Sequence, residues 1–230
     1  LKDVSLEGAV KGKAYSKKIL DKAISRKRST PEKAEVLLAR IHPTDSAADM
    51  EGCDLVIEAV FEDPNLKDKV TKETEAVLAS DKVYASNTST IPITLLAESS
   101  IRPENFIGIH FFSPVDKMPL VEIIVGAKTK EKAIAAAVDY SVAIGKVPIV
   151  VNDSRGFYTS RCFGTFVSEG MFLLEEGVPA AMIENIAKRK GMPVGPLAVH
   201  DEVTLTLSMH VYESDPTPTK SPAQERGYQI

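Results

Sequence analysis

Asp54-Leu-Val-Ile-Glu-Ala-Val60 is a continuous apolar run that carries one carboxylate and ends in small residues. An unbroken run of this kind reads as a strand buried on both faces, which is the habit of parallel sheets. The segments around it alternate in period. Asn65 to Ala79 has helical spacing, Lys82 to Asn87 reads as a strand, and Ile93 to Ser99 as a short helix. Phe106 to Phe112 and Leu120 to Val125 are two further strands, Lys130 to Ile144 is an Ala-rich helix closed by Gly145, and Val147 to Val151 is a last strand. Upstream, Ser5 is a plausible N-cap for a helix reaching about Arg28. A second helix starts at Thr30-Pro31-Glu32, where proline suits the first helical position, and Arg40 to Thr44 could form an edge strand.

Alternating strands and helices as far as residue 151 predict an α/β doubly wound domain with a mainly parallel sheet. After Asn152 the β signal stops. Gly156 to Gly177, Ala180 to Lys190 and Leu197 to Tyr212 read as three helices, so the expected division is 1–151 for the α/β domain and 152–212 for an all-α domain. Residues 213–230, including Asp215-Pro-Thr-Pro-Thr-Lys-Ser-Pro222, form a Pro-rich polar tail. The opening Leu1-Lys-Asp3 reads as the end of a strand, so the chain looks cut rather than natively begun.

Composition narrows the function classes. With 28 Lys and Arg against 32 Asp and Glu, the formal charge is −4 and there is no long basic block, which argues against a nucleic-acid surface. No apolar run approaches the ~20 residues that span a bilayer. Two cysteines, Cys53 and Cys162, make no disulfide framework and suggest a reducing compartment such as the cytoplasm. His42, His200 and His210 have no metal-ligand spacing with either cysteine, and no metal is expected.

Four stretches could carry chemistry. His110 and Glu122 sit in two apolar runs joined by a short Pro-containing link, which would make them neighbours; an imidazole held by a carboxylate is a candidate general base. The alternative is a core histidine beside an unrelated strand acid. Glu58-Ala59-Val60-Phe61-Glu62 and Lys67 lie at the carboxyl end of a strand, where ligands of open α/β sheets bind, although a helix cap and a solvated lysine would look the same. Ala85-Ser86-Asn87-Thr88-Ser89 is a polar cluster at the next strand end, a site or a turn rich in side-chain hydrogen bonds. Ser160 and Arg161 open the long helix after residue 156 and could face an interdomain cleft or simply begin an amphipathic helix. Asp3 could accept hydrogen bonds from a ribose or serve as a cap, and no G-x-G-x-x-G occurs among the 13 glycines.

Taken together, the strings DLVIEAVFED, ASNTST, FIGIHFFSPV, MPLVEII and DSRGFYTSR resemble the 3-hydroxyacyl-CoA dehydrogenase family, over residues 1 to about 212. The likeness is nearest to the dehydrogenase part of multifunctional β-oxidation enzymes that also carry a hydratase domain. The resemblance implies a Rossmann-type domain and NAD-dependent oxidation of L-3-hydroxyacyl-CoA to 3-ketoacyl-CoA. It implies His110 as catalytic base, Glu122 as its partner, and Ser89 and Ser160 as substrate-contacting residues, with Ser160 standing where many members have asparagine. It places Asp3 on the ribose, and Ala59, Val60, Glu62, Lys67 and Asn87 along the cofactor. Partners implied are an acyl-CoA substrate and a homo-oligomer or a thiolase-containing complex. The alternatives within the resemblance are a stand-alone 3-hydroxybutyryl-CoA dehydrogenase and a non-catalytic acyl-CoA-binding relative. The family's first strand and glycine loop do not appear in these residues, so a gap beside Asp54–Val60 and weak NAD binding by the 230 residues alone are expected.

Overall fold

The structure, a computed structural model, describes residues 1–203. Five strands form one sheet in the order β1-β2-β3-β4-β5: β1 (Leu55–Glu58), β2 (Val83–Ser86), β3 (Phe106–Phe111), β4 (Leu120–Val125) and β5 (Val147–Asn152). Strands β1 to β3 run parallel, β4 is antiparallel to β3, and β5 is parallel to β4. The reversal follows from the short link Phe112–Pro119, since a parallel return needs a crossover of a dozen or so residues. Lys146 Nζ fastens that link, donating to the carbonyls of Val115 and Met118, the latter at 2.6 Å.

The helices begin where the sequence supplies caps. In α1 (Leu6–Ser25) the Ser5 hydroxyl accepts from Gly8 N, and in α2 (Pro31–Ala39) Thr30 does the same for Lys33 N. In α3 (Pro64–Glu75) Asp63 accepts from Leu66 N at 2.9 Å. The sheet then carries α4 (Ile93–Leu96) and α5 (Glu131–Ala143) before α6 (Thr159–Glu175), α7 (Ala180–Arg189) and α8 (Pro196–Val203) follow with no strand between them.

The core lies on both faces of the sheet. Val83, Ala85, Ile107, Ile109, Val121 and Ile123 pack on one side with Ala133 and Ala137 of α5. Tyr84, Phe106 and Ile124 pack on the other with Leu78, Ile93, Leu96 and Phe157. Gly108 makes the second face close: a Cβ there would come within 2.6 Å of Ile93 and 2.9 Å of Ile124. The Rossmann-like sheet followed by helices is the expected fold class, and three local expectations change. Asp54–Val60 is not a strand buried on both faces. It has one paired neighbour among the described residues, and Leu55, Val56 and Ile57 are only half-buried. Arg40–Thr44 is not a strand either; Thr44 alone makes an isolated parallel bridge to Lys2. The long helix starts at Thr159 rather than Gly156, because Gly156 and Phe157 take left-handed conformations, φ +71° and +48°, that no helix can include. The latter part of the helix expected over Leu197 to Tyr212, His210 and the Pro-rich tail lie outside the described residues. No helix among the described residues is long and apolar enough to cross a membrane.

Candidate active site

Strand alternation puts four polar side chains on one face of the sheet, at the end where β1 to β3 finish. Glu58 pairs in register with Ser86, and His110 with Glu122. All four are buried and lie on the Tyr84–Phe106 face, continuing that apolar cluster as a polar row. The amino end of α6 arrives over the same place.

Glu122 is fully buried, and each of its oxygens has two partners. Oε2 lies 2.8 Å from His110 Nδ1 and accepts from Thr159 Oγ1 at 2.6 Å. Oε1 accepts from the backbone N–H groups of Tyr158 (3.1 Å) and Thr159 (2.8 Å). Burial pushes the Glu122 carboxyl up, but the bonds from His110 and from the Thr159 hydroxyl and amide outweigh it and hold the group below its ordinary value. An ionised Glu122 requires a proton on His110 Nδ1, which leaves Nε2 as the acceptor. The ring is wedged by Phe112 (centroids 4.5 Å apart) and Phe157 (5.9 Å) and keeps 6% of its side-chain surface open, enough for one edge to meet a ligand. An imidazole held in this way by a buried carboxylate has the geometry that general-base chemistry uses.

A carboxyl held down in the folded state binds fewer protons there than in the unfolded chain, so its stabilisation is complete above the ordinary value of 4.5 and is lost as pH falls below it. Wild-type stability should therefore decline more steeply on acidification below about pH 4.5 than that of Glu122→Gln, as read from urea midpoints across pH. Parallel declines would contradict the assigned ionisation.

A second network lies beside the first. Lys67 of α3 is 1% exposed, and its Nζ is 2.8 Å from Glu58 Oε1, with the carbonyls of Asn87 (3.3 Å) and Val60 (3.5 Å) around it. Glu58 also accepts from Val60 N (2.7 Å) and Ser86 Oγ (2.8 Å), so the buried pair is fully hydrogen-bonded, as burial of charge demands. Asn87 joins the two networks: its carbonyl meets Lys67, and its Oδ1 accepts from Phe111 N, next to His110, at 3.1 Å. Glu62 clamps the following loop. One oxygen accepts from Thr88 Oγ1 (2.6 Å), Ser89 N (3.0 Å) and Thr90 N (3.0 Å), while the other is 3.7 Å from Lys67 Nζ. Partial burial raises the Glu62 carboxyl, but these bonds and the Lys67 charge leave it below its ordinary value.

His110, Glu122, Glu62, Lys67 and Asn87, which the sequence singled out, are thus connected. Ala59 and Val60 form the strand-end turn under Lys67, with Ala59 exposed. Ser89 is exposed on the loop that Glu62 holds, its hydroxyl open. Asp3 lies apart from both networks, on the Lys2–Thr44 bridge, its Oδ1 accepting from Val4 N. Ser160 follows Thr159 at the start of α6, and no hydrogen bond to its side chain from the dyad is formed. Thr159 and Asp153 escaped the sequence reading. Asp153 receives Ile93 N (2.9 Å) and Thr94 N (2.7 Å), tying the end of β5 to α4. Both lie in the DSRGFYTSR string, and only that shared string could have pointed to them.

Residues 1–154 match the NAD binding domain of 3-hydroxyacyl-CoA dehydrogenase, and residues 156–229 match its C-terminal domain. The chain belongs to the 3-hydroxyacyl-CoA dehydrogenase family. It is 43% identical over 210 residues to the fatty acid oxidation complex subunit alpha of Psychrobacter cryohalolentis, covering 91% of this chain and 29% of that protein. It is 40% identical over 211 residues to the subunit of the same name from Shewanella baltica, covering 92% and 30%. The chain therefore spans about three tenths of the length of these curated relatives. Among solved structures, the (S)-3-hydroxybutyryl-CoA dehydrogenase PaaH1 of Ralstonia eutropha superposes with a TM-score of 0.91 at 36% identity, over 97% of this chain and 80% of that one. As a member of this family, the chain has its dyad on the seam between the two matched domains: His110 and Glu122 come from the NAD binding part, and Thr159 from the C-terminal part.

Proposed function

We propose that the chain is the dehydrogenase portion of a fatty-acid β-oxidation enzyme, oxidising the 3-hydroxyl of an L-3-hydroxyacyl-CoA to a ketone. The observation that carries this reading is the buried 2.8 Å contact between His110 Nδ1 and Glu122, with no partner for the other ring nitrogen among the described residues. When bound, NAD supplies the acceptor for the hydride that leaves C3. His110 Nε2 receives the hydroxyl proton as the C3–O bond becomes a carbonyl, and Glu122 stabilises the imidazolium. The exposed Ser89 hydroxyl holds the substrate oxygen, and Ser160, standing where many members of the family have asparagine, contacts the substrate.

The residues fit a dinucleotide at the carboxyl ends of parallel strands, as open α/β sheets bind them. Ala59 is small and exposed, so a ligand can lie against the backbone of the strand-end turn. Val60, Glu62, Lys67 and Asn87 line that turn, and Asp3, with an oxygen not taken by Val4, suits ribose hydroxyls. The relatives named as subunits of a fatty acid oxidation complex support a place in such a complex; a thiolase partner, a homo-oligomer and a cytoplasmic location rest on the family resemblance alone.

Acetoacetyl-CoA-dependent oxidation of NADH by the full-length protein tests the reading. Turnover is expected, and its absence in folded protein would overturn the assignment in favour of a non-catalytic acyl-CoA-binding relative. The likeness to the Ralstonia enzyme over 80% of its chain favours a second reading, a stand-alone 3-hydroxybutyryl-CoA dehydrogenase. Hydratase activity on crotonyl-CoA in the same full-length protein would exclude it.

A further inference from the structure

The hydroxyl of Thr159 does more than help hold Glu122 ionised. It donates at 2.6 Å to Oε2 of Glu122, the oxygen that also faces His110, whereas the backbone amides of Tyr158 and Thr159 take the other oxygen. A carboxylate oxygen that serves two donors offers each of them less negative charge than one that serves a single donor. We propose that Thr159 is a positioning residue: by sharing Oε2 with His110, its hydroxyl weakens the carboxylate's hold on the imidazolium, so the seating of α6 sets how readily His110 gives up its proton.

The geometry supports a specific device rather than incidental packing. Thr159 is the first residue of α6, and the left-handed turn at Gly156 and Phe157 aims its amide and hydroxyl together at one buried acid. The groups that meet the pair are His110 from β3, Glu122 from β4, and Thr159 with the Tyr158 amide from the start of α6. The neighbouring rings of Phe112 and Phe157 carry no charge. Among the described residues, the hydroxyl is therefore the one side-chain contact from the helical segment that reaches the oxygen shared with the imidazole. Removing it while keeping the amides returns charge to Oε2 and favours imidazolium, so the base should stay protonated to higher pH.

The inference rests on His110 being the base, but its test does not need turnover. In full-length protein carrying 15N-labelled histidine, the His110 ring signal, assigned by its loss in His110→Gln, is titrated in wild type, Thr159→Val and Thr159→Ser. The midpoint in Thr159→Val is expected to rise by about half a unit to one unit, while Thr159→Ser, which keeps the hydroxyl, stays with the wild type. Should Thr159→Val not fold, Thr159→Ala is judged by the same midpoint. A Thr159→Val midpoint equal to wild type, or a Thr159→Ser midpoint displaced as far as that of valine, overturns the proposal. In active enzyme the acidic limb of the kcat/KM profile should move with the ring midpoint; a ring shift in a protein without turnover would upset the dehydrogenase reading alone.

Discussion

Replacing His110 by alanine lowers kcat by about 10²–10⁴-fold, the usual contribution of a positioned general base. The loss should fall on kcat with little change in KM, because the proton leaves the hydroxyl only as the carbonyl forms. The fold should survive. Glu122 loses one of four partners but keeps the Thr159 hydroxyl and the amides of Tyr158 and Thr159. The space between Phe112 and Phe157 opens on a ring that already touches solvent, so it does not become a sealed cavity. Steady-state kinetics with acetoacetyl-CoA and NADH, alongside thermal unfolding, check both parts. Wild-type turnover in a folded variant would remove His110 from the mechanism.

Glu58→Leu should cost about 3–5 kcal/mol of stability, since it leaves a buried ammonium without its carboxylate. Lys67 is 1% exposed, and the Glu62 oxygen 3.7 Å away is a poor substitute for a partner at 2.8 Å. The substitution also leaves Ser86 Oγ and Val60 N without their acceptor. The double variant Glu58→Leu with Lys67→Met should regain a large share of the loss, because an apolar pair of similar volume replaces a buried ion pair at little cost. Urea midpoints for the two single variants and the double close the cycle. A loss below about 1 kcal/mol in Glu58→Leu would mean that the pair is well hydrated. The same pair holds the Asn87 carbonyl, so disruption here should also disturb Phe111 and, beside it, His110.

The parts of this fold that could be read from the sequence are those set by local period. Lys82–Asn87 and Leu120–Val125 carry strand patterns that survive in β2 and β4, Ser5 caps the helix expected after it, and the second helix begins at the expected Thr30-Pro31. The pairing of His110 with Glu122 was legible because the link between their strands is too short for anything except a hairpin. What could not be read depends on contacts between distant residues. Thr159 looks like any residue in a helical first turn until the fold brings Glu122, 37 positions earlier, to its hydroxyl. Glu62 reads as a strand-end acid, yet one of its oxygens is spent on the backbone and hydroxyls of Thr88, Ser89 and Thr90. The start of α6 was misplaced because Phe157, a non-glycine residue, adopts φ +48°, a conformation that sequence pattern does not announce.

The central claim is that one imidazole, oriented by Glu122, faces the oxygen at C3 of the substrate. A crystal structure of the full-length protein with NAD and acetoacetyl-CoA tests it most directly. The account predicts the C3 oxygen within about 2.6–3.2 Å of His110 Nε2, with Nδ1 still on Glu122. A C3 oxygen bound on the far side of the cleft, out of reach of that nitrogen and of any single bridging water, would contradict it.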